Sequence, residues 1–430
     1  MVAGEPSGDL LAARVIQGLK NREESIHFNG IGGPHMQDAG LNLDYPMDAL
    51  SVFGYIDALK QLPRLISIYQ RFKKNTISAN PDVFVGVDAP DFNLRLEEQL
   101  KKSGIPTVHF VSPSIWAWRY QRIEQIRRAV DHMLVLFPFE VDIYEKEGIP
   151  VTFVGHPLAQ QIPEKPDPKA ARLRLGLDPD KPVLAILPGS RKSELKALTK
   201  VFLETAQKLH QKYPDLQFVV PLVNEARKQQ FLELSKGINL PNLHLFDQHV
   251  SKQPISRDVM EACDASLLAS GTASLEMALY KKPMVIAYIL SPLMVKIMAW
   301  QSGQSRPLLP WIGLPNILLR EFAVPEHLQE DVTPDKLMTA CIRALEDKEY
   351  IQEVRAKFEQ LYSTLAIDTP RLAAEQIWRV ATSKPHRTRD QCHRLSTPIL
   401  SRLFMKPTRV IFVFVMLQAW MPMQGQRMQD

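Results

Sequence analysis

The chain has 430 residues, 45% hydrophobic and 23% charged, with a formal net charge of +5. That is enough apolar material for two packed domains and too much for a disordered or fibrous chain. Three cysteines, Cys263, Cys341 and Cys392, stand far apart with no paired Cys/His spacing, which argues against a disulfide framework or a structural zinc site and fits a reducing compartment. The charge is unevenly placed: residues 383–430 hold eight Lys/Arg against two Asp, so this tail carries +6 and the remainder −1. A neutral body lacks the basic face that phosphate-backbone binding needs, and no nucleic-acid partner is expected. The first residues lack the charged and apolar blocks of a secretory leader.

In chain order, "VAGEPSGDLLAARVI" places a Gly-rich turn, Gly4-Glu5-Pro6-Ser7-Gly8-Asp9, before an amphipathic helix. Glu5 and Asp9 would repel a pyrophosphate, so Gly8 and the two acids suit sugar hydroxyls better. Strands are predicted at His27–Ile31, Val83–Asp88, Thr107–Val111, Met133–Phe137 and Val151–Gly155, then at Val183–Leu187, Gln217–Leu222, Leu243–Phe246, Ala265–Ala269 and Met284–Tyr288. Helical stretches separate most of them, the βαβ signature of doubly wound sheets. A proline-rich, charged stretch at 163–182 reads as the boundary between an α/β domain at 1–162 and another at 183–345. The layout predicts two Rossmann-like domains facing across a cleft. Residues 48–75 interleave apolar side chains with Lys60, Arg64, Arg71, Lys73 and Lys74; a basic amphipathic helix pair on an anionic membrane and ordinary core packing both fit. The tail's apolar run Val410–Leu417 is short of the roughly 20 residues that span a bilayer. It reads as an interfacial segment or as a non-native reading-frame product, the second being preferred.

Several strand ends carry chemistry. "VFVGVDAPDFN" is a run without alternation, expected to be buried on both faces, that ends on Asp88 with Asp91 three residues on. In open α/β sheets the carboxyl edge of the strands is where ligands bind, although Asp also caps turns there. "HFVSPSIWAWRYQR" sets Trp116 and Trp118 beside Arg119 and Arg122, which fits carbohydrate stacking, phosphate gripping or a membrane interface, or a core Trp pair beside a solvated basic face. Pro188-Gly189-Ser190-Arg191 follows a strand, so its backbone can approach an oxyanion and Arg191 can fork a phosphate, without the Walker A spacing. Ser270-Gly271-Thr272-Ala273-Ser274 opens a helix whose free N–H groups suit a diphosphate. Glu276, just inside that helix, is placed to accept from ribose hydroxyls or to close a capping box. Asn316 lies in "GLPNILL", a loop-like context between prolines. Neither a metal nor another cofactor is expected.

The stretches "VAGEPSGD", "DVFVGVDAPDFN", "HFVSPSIWAWR", "VGHPL", "ILPGSR", "VVPLVN", "LLASGTASLE" and "GLPNIL" together resemble the lipid-A-disaccharide synthases, inverting glycosyltransferases of the GT-B fold. They run in family order over residues 2 to about 380. The resemblance implies joining the sugar of UDP-2,3-diacylglucosamine to 2,3-diacylglucosamine 1-phosphate through a β(1→6) link, with release of UDP, at the cytoplasmic face of the inner membrane. It makes the first domain the acceptor side and the second the UDP-sugar side, with helices at 346–382 packing back on the first domain. Asp88 becomes the base, Asn316 and Glu5 line the reaction centre, and Glu276 holds the ribose. Arg191, Gly189, Ser190, Gly271, Thr272 and Ser274 hold the nucleotide sugar, while Gly8, Asp9, Asp91 and Trp118 complete the substrate contacts. Pairing into a homodimer stays open. Members of the family begin with a short strand before "VAGE", which Met1 replaces here; the tail 383–430 matches nothing in the pattern, and "MAWQSGQSRPLLPW" aligns least. The competing readings are a UDP-N-acetylglucosamine 2-epimerase and a non-catalytic nucleotide-sugar-binding protein at the membrane.

Overall fold

A computed structural model describes residues 1–50, 55–118, 120–247, 251, 253–290 and 309–383, with the side chains of residues 55–62 and 118 left aside. The tail, Arg119 and most of "MAWQSGQSRPLLPW" thus lie outside the described residues. The chain forms two compact units: one takes Met1–Ile115, Arg119–Gly155 and Asp368 onward, the other Trp116–Trp118 and His156–Ile367.

The first unit is built on β1 (Val2–Ala3), β2 (Phe28–Gly32), β3 (Leu41–Pro46), β4 (Phe84–Val87), β5 (Thr107–Phe110), β6 (His132–Val135) and β7 (Val151–Phe153). They form a parallel sheet in the order β3-β2-β1-β4-β5-β6-β7. All four residues of β4 and of β5 are buried, as expected of central strands covered by helices on both faces. Helix Pro6–Lys20 turns Leu11, Ala12, Val15, Ile16 and Leu19 inward. It packs against helix Thr369–Thr382, whose Ala373, Ala374 and Ile377 join the same core cluster. Helix Tyr55–Ala79 buries Ile68 and Phe72 against Phe92, Leu96 and Leu100 of helix Pro90–Lys102. Core packing thus accounts for part of the 48–75 stretch, while Ile66 stays half exposed.

The second unit holds β8 (Val183–Leu187), β9 (Gln217–Pro221), β10 (Leu243–Phe246), β11 (Ala265–Ala269), β12 (Met284–Tyr288) and β13 (Glu326–Leu328), in the order β10-β9-β8-β11-β12-β13. Every register is parallel. The stretch at 163–182 carries helix Pro168–Arg174, which is anchored within this unit: both oxygens of Asp264 accept from Arg172 Nη2 at 2.7 Å, and Glu261 accepts from Arg174 at 2.6 Å. Proline and charge here mark helix caps and partly buried ion pairs. Helix Lys348–Leu365 packs on helix Thr272–Leu279 of this same unit.

Within each sheet the chain starts centrally, winds outward one way, then crosses over and winds the other way. Such a reversal leaves a crevice at the carboxyl ends of the two strands beside it. Those strands are β1 and β4 in the first unit, and β8 and β11 in the second.

Candidate active site

At the first crossover the chain leaves β4 through two left-handed residues, Asp88 at φ +54° and Ala89 at φ +43°. This region costs a residue with a Cβ about 1–3 kcal/mol, least for Asp or Asn. The turn is held from both sides: Asp88 N–H donates to Phe110 O at 2.8 Å, and Asn93 Nδ2 donates to Asp88 O at 2.7 Å. Pro90 then opens helix Pro90–Lys102 at a position where a missing N–H is harmless. The result is a carboxylate that is 7% exposed at a rigid strand end. Glu5 ends the loop after β1, and a Cβ on neighbouring Gly4 would come within 2.8 Å of Ala89 Cβ, so the two loops touch only because residue 4 is glycine. Burial, and then the negative charge of Asp88, push the Glu5 carboxyl up to about 7. Burial also raises Asp88, opposed by His109 and by the Ala89 N–H. Two carboxyls that hinder each other's ionisation in one crevice are the setting in which a general base is tuned.

Other acids of this unit are placed differently from the expectation. Asp9 is 1% exposed, and its carboxylate accepts from Gly33 N at 2.8 Å, Met36 N at 3.0 Å and His35 N at 3.1 Å. Holding three N–H groups of the loop after β2, Asp9 is a structural anchor. Gly8 looks onto the sheet, where a Cβ would meet Ala3 and Val87 at 3.5 and 3.6 Å; it is a packing position. Asp91 pairs with Arg122 at 2.6 Å, both largely buried, which ties the first turn of its helix to the turn Tyr120–Arg122. Trp116 is buried in the short helix Ile115–Trp118, and the Trp118 side chain lies outside the described residues.

At the second crossover Gly189, at φ +112°, turns the chain from β8 into helix Lys192–Lys212. The N–H groups of Ser190 and Arg191 both donate to Glu194 Oε2, at 3.0 and 3.1 Å. This is the capping box at the start of the helix, and it places a carboxylate of the chain itself on the donors expected to meet an oxyanion. Arg191 Nη1 stands 3.8 Å from the same carboxyl group, with the side chain 28% exposed. Across the crossover Gly271 caps helix Thr272–Leu279, and none of the described residues comes within 4 Å of where its Cβ would be. That open N-terminus offers backbone N–H groups and the positive end of the helix dipole. Ser274 is turned inward, its hydroxyl donating to Gly271 O at 2.7 Å, and Thr272 sits at the first helical position.

Glu276 is 3% exposed and accepts from Arg257 Nε at 3.2 Å; Arg257 reaches on to Gln161 at 3.0 Å. Asn316 is fully buried. Its Nδ2 donates to Val324 O at 2.9 Å and Glu326 Oε1 at 2.8 Å, and its Oδ1 accepts from Val324 N at 3.0 Å. Glu326 also accepts from Ile312 N and Gly313 N, at 2.9 and 2.8 Å. Asn316 is therefore a brace: through Glu326 it sets the 312–313 backbone, whose Ile312 O accepts from Ser270 Oγ at 3.2 Å.

Three contributors escaped the sequence reading. Glu194 and Glu326 act on backbone N–H groups, and His109 and Glu97 form a buried pair in the first unit. The available signal was weak: Glu97 and His109 are polar residues at core positions of a helix and a strand.

Two doubly wound units, one bringing paired carboxyls to its crossover and the other a guanidinium and a helix N-terminus, define an α/β nucleotide-sugar enzyme of the GT-B class. Solved structures agree at the level of fold. A putative UDP-N-acetylglucosamine 2-epimerase from Listeria monocytogenes superimposes with a TM-score of 0.55 at 11% identity, covering 89% of this chain and 95% of its own. MurG of Acinetobacter baumannii gives 0.52 at 12%, covering 88% and 98%. Sequence goes further: the family model described as lipid-A-disaccharide synthetase matches residues 1–377. A lipid-A-disaccharide synthase of Bordetella avium is 57% identical over 385 residues, 89% of this chain and 98% of the relative. The chain belongs to the lipid-A-disaccharide synthetase family, and is a hexosyltransferase of lipid A biosynthesis. The epimerase and non-catalytic readings fall away, since the likeness to epimerases is one of fold alone.

Proposed function

We propose that the chain condenses UDP-2,3-diacylglucosamine with 2,3-diacylglucosamine 1-phosphate, giving the β(1→6)-linked disaccharide 1-phosphate and UDP with inversion at the anomeric carbon. The observation that carries this reading is Asp88: a nearly buried carboxyl on a braced, left-handed turn at the crossover of the first sheet. Inversion needs one base on the face opposite the leaving group, and Asp88 takes the proton of the acceptor hydroxyl as its oxygen attacks carbon and the bond to UDP breaks. Glu5, raised to about 7, is about half protonated at neutral pH and so weakens as a second anion beside Asp88. Charge growing on the departing diphosphate is met by Arg191, Gly189 and Ser190, and by the N–H groups at Gly271 and Thr272. Each preorganised donor of this kind contributes on the order of 3 kcal/mol to a transition state. The ribose falls to Glu276, which must share itself between the sugar and Arg257.

Among the described residues no helix is long and apolar enough to cross a membrane. The lipid substrates call for a peripheral station at the cytoplasmic face of the inner membrane, and helix Tyr55–Ala79, with Lys73, Lys74 and the exposed Ile66, is the element assigned to it. Purified protein supplied with both lipids, followed by UDP release, tests the proposal. UDP should appear only when both lipids are present. UDP released at the same rate without the acceptor would overturn it.

A further inference from the structure

Glu276 is held differently from Glu194 and Glu326. Glu194 caps its own helix through the N–H groups of Ser190 and Arg191, and Glu326 holds those of Ile312 and Gly313. Glu276 is gripped by a side chain: Arg257 Nε donates to its Oε2 at 3.2 Å, with the two side chains 4% and 9% exposed. The guanidinium is itself steadied, since Nη2 donates to Gln161 Oε1 at 3.0 Å. Helix Ile255–Ala262 lies between β10 and β11, and helix Thr272–Leu279 between β11 and β12. In a parallel sheet a helix that follows a strand starts at the carboxyl edge, where ligands bind. Arg257 is the third residue of the first helix and Glu276 the fifth of the second, so at 1.5 Å per residue they stand within about 3 and 6 Å of the helix starts. The pair therefore lies beside the edge to which the nucleotide sugar is assigned.

Stability alone does not call for this pair. Ionic groups at such depth are costly to desolvate, and apolar residues of equal volume replace a buried ion pair with little or no loss. Helix Ile255–Ala262 is already tied down: Asp258 and Glu261 accept from Arg174 at 3.1 and 2.6 Å, and Val259, Met260 and Ala262 are buried. A carboxylate that binds hydroxyls has to be aimed, and a planar guanidinium fixed at two points sets that aim where a single ammonium would not. We infer that Arg257 is a positioning residue for sugar recognition: it locks the Glu276 carboxylate in the orientation that accepts from the ribose hydroxyls, and so makes the site selective for a nucleotide that carries them. This rests on the reading of Glu276 as the residue that holds the ribose. A site built to bond a hydroxyl discriminates against the ligand without it, because the group waiting for that hydroxyl is left unpaired.

The test is titration calorimetry of the full chain with UDP and with 2′,3′-dideoxy-UDP, which lacks both hydroxyls. The parent should favour UDP by at least about 10-fold, the scale of one hydrogen bond to a charged group. Arg257→Lys keeps the charge and loses the two-point grip. It should weaken UDP about 10-fold and change the dideoxy nucleotide by less than about twofold. A mere tie between two helices would weaken both ligands alike or neither. An unmoved selectivity in folded Arg257→Lys would therefore overturn the inference. If that variant does not fold, Gln161→Ala decides: it removes the second anchor of the guanidinium and should lower the selectivity about threefold, and an unmoved selectivity there overturns the inference equally. Glu276→Gln separates the two readings, since it should abolish the selectivity. Selectivity lost in Glu276→Gln and kept in Arg257→Lys removes only the role of Arg257. Selectivity kept in Glu276→Gln, or absent from the parent, removes the ribose reading as well.

Discussion

In the first unit the strands beside the crossover, β1 and β4, lead into Glu5 and Asp88; in the second, β8 and β11 lead into Gly189-Ser190-Arg191 and Ser270-Gly271. Topology is shared and charge is reversed. One crevice holds two carboxyls, Asp88 buried and Glu5 partly so, that resist ionising together, and the other gathers N–H donors and a guanidinium beside a carboxylate of their own chain. The difference teaches that a doubly wound sheet supplies a place for chemistry and that the few residues just past two strands decide its sign.

The contrast can be broken most severely at Asp88. Asp88→Asn should lower turnover about 100-fold or more, the scale of general-base catalysis, and leave the second unit's hold on UDP intact. The next effect concerns stability in opposite directions. His156, at the start of the second unit, is buried, and its Nδ1 accepts from Leu158 N at 3.2 Å. Burial pushes the imidazole down to about 4. Its folded form thus binds fewer protons than the unfolded chain between about 4 and 6.5, and the unit loses up to about 3 kcal/mol as pH falls through that window. Asparagine also caps helices, so His156→Asn should flatten the loss in denaturant titrations at pH 4.5 and 7.5. Glu5 has the reverse sign. With a folded value of about 7, it costs the first unit stability as pH rises from about 4.5 to 7, on the order of 2 kcal/mol after allowance for its partial exposure. Glu5→Gln should therefore stabilise the first unit at pH 8 and change little at pH 4. The smallest effect is Arg191→Ala, expected to weaken UDP about 10-fold in titration calorimetry, as loss of one charge-assisted contact does.

Much of this was legible in the sequence because central parallel strands are unbroken apolar runs: "VFVGV" and "VLAIL" could be read directly. Val2–Ala3 is too short to show a period, Leu41–Pro46 is an alternating edge strand, and Glu326–Leu328 is a three-residue edge opened by a glutamate. None of these carried the signal. The loops after the strands were legible as chemistry, but their partners were not. Asp9 and Asn316 look like ligand contacts until the structure brings them the backbone N–H groups of Gly33, His35, Met36 and Val324. Glu97 and His109 are twelve residues apart on different elements, and only the close approach that Gly86 permits makes them a pair.

One experiment bears on the reversed charges directly: UDP affinity and UDP release measured side by side for Asp88→Asn and Arg191→Ala. The account predicts that the first variant binds UDP as the parent does and fails to turn over, while the second loses affinity for UDP itself. Weakened UDP binding in Asp88→Asn, together with unchanged UDP binding in Arg191→Ala, would contradict it.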